Sequence, residues 1–195
     1  MSLYYLLALL AFLLYLQGAV YFIIFRKNAR ADRLYLLGLL SFCWFSFFLI
    51  FMYTGGGDAN RLYQLDRLAS VGWTSFPVLL TWFFALFTKE NNPKIIWVLK
   101  YVLSPLSVLL FFRYMIDPQS LKSFYYVNQV LHFSTSAQSP WFYVFSFYIA
   151  GSSLLSGSII LRWRIKRLHT NKERLQWLVL FSTLLVSVVF SMLTN

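Results

Sequence analysis

Acids are scarce in this chain of 195 residues: six Asp and Glu stand against 17 Lys and Arg, and all charged residues together make up 12%. Cysteine occurs once, at Cys43, so no internal disulfide can form and the redox compartment cannot be read from it. Only two histidines are present, His132 and His169. What remains is apolar, with 59% hydrophobic and 21% aromatic residues. A water-soluble domain of this length has too much surface to hide such a share. The net charge of +11 would point to nucleic acid on a polar chain. Here the cations fall between long apolar runs, so they read as loop charge on a membrane protein, with no nucleic-acid partner.

Six runs are long enough to cross a hydrocarbon core of about 30 Å as helices. They are Leu3–Phe25, Leu34–Tyr53, Leu68–Phe87, Ile95–Phe112, Trp141–Leu161 and Leu175–Leu193. The first has no basic residue before it and no small-residue cleavage site after it, so it reads as a retained span and not a secretory signal. The expected fold class is all-α: a polytopic membrane helix bundle with six visible spans in one domain, residues 1–195.

The cations set the orientation. With the N-terminus outside, the inner connections hold Arg26, Lys27, Arg30 and Arg33, then Lys89 and Lys94, then the basic residues of RWRIKRLHTNKER (162–174). Lys100 can snorkel to the same side. Only Arg61, Arg67, Arg113 and Lys122 of the 17 are left outside, an asymmetry that fixes topology. The basic run from 162 to 174 therefore reads as an inner loop, with a weaker role in holding anionic lipid heads. On the outer side, TGGGDANRLYQLD (54–66) starts with a glycine bend. The long connection from Arg113 to Pro140 carries two strand-forming segments, Phe124–Val127 and Val130–Phe133. Asn128–Gln129 lies between them as a turn, which suggests a small extracellular β-hairpin between the fourth and fifth spans.

Chemistry has little to work with. Asp32, Asp58, Asp66, Glu90, Asp117 and Glu173 all read as loop or helix-end residues, which leaves no facing intramembrane carboxylates for a protease and no buried one for a proton-coupled carrier. His132 and His169 fall on opposite sides of the membrane and cannot share a metal. No enzyme activity, metal or other cofactor is expected of this segment. Binding fares better. Asp66 and Arg67 stand at the outer mouth of the third span, before Trp73 and the helix-bending Pro77. Their plain reading is a dipole-matched acid and a headgroup anchor; their functional reading is a polar rim above a pocket between helices. Trp141 begins the fifth span, where an aromatic belt also accounts for it. Ser146, Ala150, Ser153 and Gly157 recur at steps of four, three and four, a stripe of small residues suited to close helix packing.

The order of these features, with the local patterns GWTSFP and SPWFY, resembles the N-terminal seven-helix sensor region of membrane histidine kinases, a module also found ahead of diguanylate cyclase domains. The likeness extends over essentially the whole chain. It implies a sensory input domain of a two-component system in a prokaryotic inner membrane, working as a homodimer among membrane lipids and responding to a small or lipid-like signal. It also implies a seventh helix and an output domain; the chain is expected to be a fragment, since with six spans Asn195 would face outside. A transporter or channel half, and an anchor or scaffold without a signal, are the alternatives.

Overall fold

The computed structural model describes residues 3–25, 30–54, 58–120, 122–127, 130–135 and 139–167, together with Leu178. Among them, five helices are long and apolar enough to cross a membrane. The sixth expected run, Leu175–Leu193, lies outside the described residues apart from Leu178. Helix α1 (Leu3–Phe25) matches its expected bounds, and α2 runs from Arg30 to Thr54.

Helix α3 (Ala59–Phe87) starts well before the expected Leu68. Asp58 caps it in an extended conformation, its carboxylate accepting from the Asn60 N–H at 2.9 Å. Leu62 and Leu65 then fall on one helical face and pack with Leu49, Met52 and Tyr53 of α2. The charged stretch that reads as a loop is thus about two turns of helix. At the other end α3 closes with Lys89 at φ 53°, Glu90 N–H bonded to Ala85 O and Lys89 N–H to Leu86 O. This is a left-handed cap in which a lysine occupies the place usually given to glycine.

The fourth span is continuous but not uniform. It comprises α4 (Pro93–Val98), a π-helical turn (Leu99–Leu103) and α5 (Ser104–Ile116). Pro105 accounts for the wide turn: it has no N–H to give, and its ring crowds the carbonyl four residues back. Ser104 closes the turn, its hydroxyl donating to Leu99 O at 2.7 Å while accepting from Trp82 Nε1 of α3 at 3.1 Å. A short 3-10 turn (Pro118–Ser120) follows. Strands β1 (Lys122–Val127) and β2 (Val130–Thr135) then pair antiparallel, from Lys122 opposite Thr135 to Val127 opposite Val130. Helix α6 (Pro140–Arg167) ends the continuous description.

Packing is centred on α3, which touches α2, α5 and α6, while α1 packs on α2. Half of the third span (50%) is buried against 11% of the first, so α3 is the hub and α1 a peripheral helix. Aromatic pairs join α1 to α2, such as Tyr15 stacked on Phe42 at 4.7 Å. The seam between α2 and α3 is tighter. A Cβ on Gly72 would lie 2.4 Å from Ser41 O and 2.7 Å from Phe45 Cβ, so only glycine admits this approach. Trp44 Nε1 donates across the same seam to Leu68 O at 2.7 Å. On the far side of α3, Phe83, Phe84, Leu99, Leu103, Ile159 and Trp163 form the apolar core with the fourth span and α6.

Candidate functional site

The face of α3 turned toward α5 and α6 is polar. Asp66, Ser70, Thr74, Thr81 and Thr88 recur at multiples of a helical turn, and all five are buried. Where water is excluded, each such group needs a protein partner. Ser70 and Thr74 bond back to Arg67 O and Ser70 O, each at 2.6 Å. Below them Pro77 has no N–H to give to the Trp73 carbonyl, and the neighbouring Thr74 carbonyl receives two hydroxyls, Ser107 of α5 at 2.7 Å and Tyr148 of α6 at 2.5 Å. One turn further, the Thr81 hydroxyl reaches Pro77 O at 2.7 Å and the Ser156 hydroxyl at 2.9 Å. Three helices are thus joined along one polar seam.

At the head of the seam Asp66 is 1% exposed and Tyr114 fully buried, and the Tyr114 hydroxyl donates to the Asp66 carboxylate. Trp73 meets Tyr114 edge to face at 5.1 Å and Phe145 of α6 at the same distance. Asp66 and Trp73 are therefore brought together, with Tyr114 between them. The expectation that every acid lies in a loop or at a helix end fails at Asp66, because helix α3 begins earlier than hydropathy suggests. No family model, curated protein or solved structure matches this chain. The site rests on its own geometry.

The other expected site residues scatter around this centre. Arg67 is half-buried, its Nε without a hydrogen-bond partner among the described residues. Pro77 lies one turn beyond Trp73 inside α3 and is half-buried. Trp141 is placed differently: its ring carries the Arg113 guanidinium at 5.2 Å, and Arg113 in turn pairs with Asp117 at 2.8 Å.

The small-residue stripe of α6 points the other way from its main contact. Ala150 is exposed and Ser146, Ser153 and Gly157 are only partly covered, whereas Tyr148, Ser152, Ser156, Ile159, Ile160 and Trp163 are buried. Small-residue packing against α3 is made by Ser152 and Ser156 instead. Only the first stripe stood out in the sequence; Thr81 of α3, bonded to Ser152 O and the Ser156 hydroxyl, marks the second.

Tyr114, Tyr148, Ser107 and Thr81 were not anticipated from the sequence. The recurrence of Asp66, Ser70, Thr74 and Thr81 on one helical face was a readable signal for their α3 partners. A second polar junction lies at the opposite end of α3. The Glu90 side chain is 4% exposed and accepts from the Asn91 and Asn92 N–H groups at 3.1 and 2.9 Å, with Arg162 Nε of α6 at 3.4 Å.

Proposed function

We propose that this chain is the transmembrane sensory input module of a two-component histidine kinase or a related signalling protein. In this reading it is a multi-pass protein of a prokaryotic cytoplasmic membrane, with the N-terminus outside and the cation-rich connections inside. It works as a homodimer, as the kinases it resembles do. The paired strands β1 and β2 cap the outer end, where Phe124 meets Tyr63 of α3 at 5.1 Å.

The observation that carries the reading is the buried Asp66–Tyr114 contact beside Trp73, made from two helices, one of which carries Pro77 a turn further on. A small or lipid-like signal entering between α3, α5 and α6 competes for these partners. It favours a second arrangement of α3 only by binding that arrangement better. The shift of about 1–2 Å that such helices make then passes along the seam to the inner end, and from there to the helix and output domain that the resemblance implies.

The test is signal-dependent output of the complete protein with Asp66→Asn, Tyr114→Phe or Trp73→Leu. At least a tenfold loss of sensitivity is expected, with basal output retained. Unchanged affinity and signalling in all three removes the proposed site. A transporter half is the second reading, favoured by the buried carboxylate and the π turn of the fourth span. It predicts solute flux into liposomes that Asp66→Asn abolishes.

A further inference from the structure

At the end of the bundle where α3 turns into α4, the fourth span carries four exposed side chains within its first turns. Lys94 is exposed and stands one turn before Trp97, which is 57% exposed. The Trp97 ring lies 5.9 Å from that of Tyr101, itself 56% exposed. The exposed Lys100 holds its ammonium 5.0 Å from the Tyr101 ring centre. The acid of the adjoining turn gives this face nothing: Glu90 is buried and satisfied by two backbone N–H groups and Arg162. Lys89 on the same turn is exposed as well.

We infer that Lys94, Trp97, Lys100 and Tyr101 form a binding site for the headgroup of an anionic phospholipid. The span begins at Pro93, so these residues fall within its first turns, where hydrocarbon gives way to headgroups. Indole and phenol rings favour that depth, their apolar bodies against acyl chain and glycerol and their polar tips toward water. Lys94 and Lys100 supply the charge that a phosphodiester needs, Lys100 with its ammonium beside the Tyr101 ring. Lys100 lies on the apolar side of Lys94, so its stem extends along the aromatic face and its head rises to the phosphate. The partner is a lipid and not a free anion, because a free anion would leave the apolar area of the aromatic pair uncovered.

The test is lipid selectivity of the full chain, read from first-shell spin-labelled lipid in vesicles of phosphatidylcholine containing a minor share of phosphatidylglycerol. The protein is expected to enrich phosphatidylglycerol. At roughly 1 kcal/mol for each basic residue near a headgroup, Lys94→Gln and Lys100→Gln each lower the relative affinity about fivefold. Trp97→Leu lowers retention of both lipids, and Lys89→Gln leaves selectivity unchanged. All four positions are exposed, so helical content measured by circular dichroism stays the same. Selectivity that survives in the Lys94→Gln/Lys100→Gln double variant overturns the inference, as does equal loss from Lys89→Gln. Competition by millimolar inorganic phosphate would likewise sink it, since the site would then take anions without regard to lipid.

Discussion

Adding one methyl group at each of four helical glycines separates close helix approach from ordinary packing. A Cβ on Gly72 lands 2.4 Å from Ser41 O, 2.7 Å from Phe45 Cβ and 3.1 Å from Phe45 N. Carbon–oxygen contacts ordinarily sit at about 3.3–3.6 Å, so α2 and α3 must part by roughly 1 Å. The obstacle is backbone and Cβ, which no rotamer change can move aside. Overpacking of this kind costs about 1–3 kcal/mol. Parting the helices also stretches the Trp44–Leu68 bond at 2.7 Å and the Ser75–Ser41 bond at 3.1 Å, each worth roughly 0.6 kcal/mol in a membrane. Alanine's better helix propensity returns up to about 1 kcal/mol. Gly72→Ala should therefore destabilise by about 2 kcal/mol, or roughly 4–8 °C in a chain of this size. At Gly18, Gly38 and Gly151 the new Cβ meets only side-chain carbons at 3.6, 3.9 and 3.8 Å. Alanine there should be neutral or stabilising. Thermal unfolding of the four variants in one detergent, followed by circular dichroism, gives the ranking. A Gly72→Ala midpoint at or above those of the other three refutes the close-approach argument.

Lys89→Gly should raise stability by about 1 kcal/mol, because Lys89 holds a left-handed conformation that glycine adopts without a Cβ penalty; the same unfolding assay reads it. Tyr148→Phe and Ser107→Ala each remove one of two hydroxyls on the Thr74 carbonyl, so each alone should cost at most about 1 kcal/mol. The double variant should exceed their sum, since only then is the Thr74 carbonyl left without either hydroxyl; an additive double-mutant cycle would count against the shared-acceptor account. Glu90→Ala should cost about 2 kcal/mol through its two backbone N–H bonds. Arg162→Ala should cost well under 1 kcal/mol, because its side chain is 39% exposed and water takes over its charge. Equal losses from the two would place the strength in the ion pair and contradict this.

The apolar runs made the helical, membrane-type architecture legible before any coordinates, since a stretch such as Leu3–Phe25 has no other stable arrangement in lipid. What the runs concealed was the first part of α3. Arg61, Gln64 and Asp66 lower the local hydropathy to that of a loop, yet Leu62, Asp66 and Ala69 recur on one buried face. An averaged window dilutes this signal and a periodicity count retains it. Asp66 and Trp73 were therefore singled out for a weaker reason than the one that holds them together. Their partner Tyr114 comes from α5, 48 residues away from Asp66, and no local pattern reports such a pairing. The π turn was hidden in the same way: Pro105 is plain in the sequence, but whether it kinks, breaks or widens a helix depends on neighbours such as Trp82.

The polar face of α3 has a bearing on synthesis. The mean hydropathy of this span is the lowest among the five, and the hydroxyls that bond its Thr74 carbonyl are encoded 33 and 74 residues downstream. At roughly 5–20 residues per second of translation, the nascent third helix waits several seconds before Tyr148 has even left the ribosome. During that interval the translocation machinery, or the preceding hairpin of α1 and α2, must shelter the polar face of α3 before its partners on α5 and α6 exist. Among the five described spans, the hub is thus the one least able to enter the bilayer unaided.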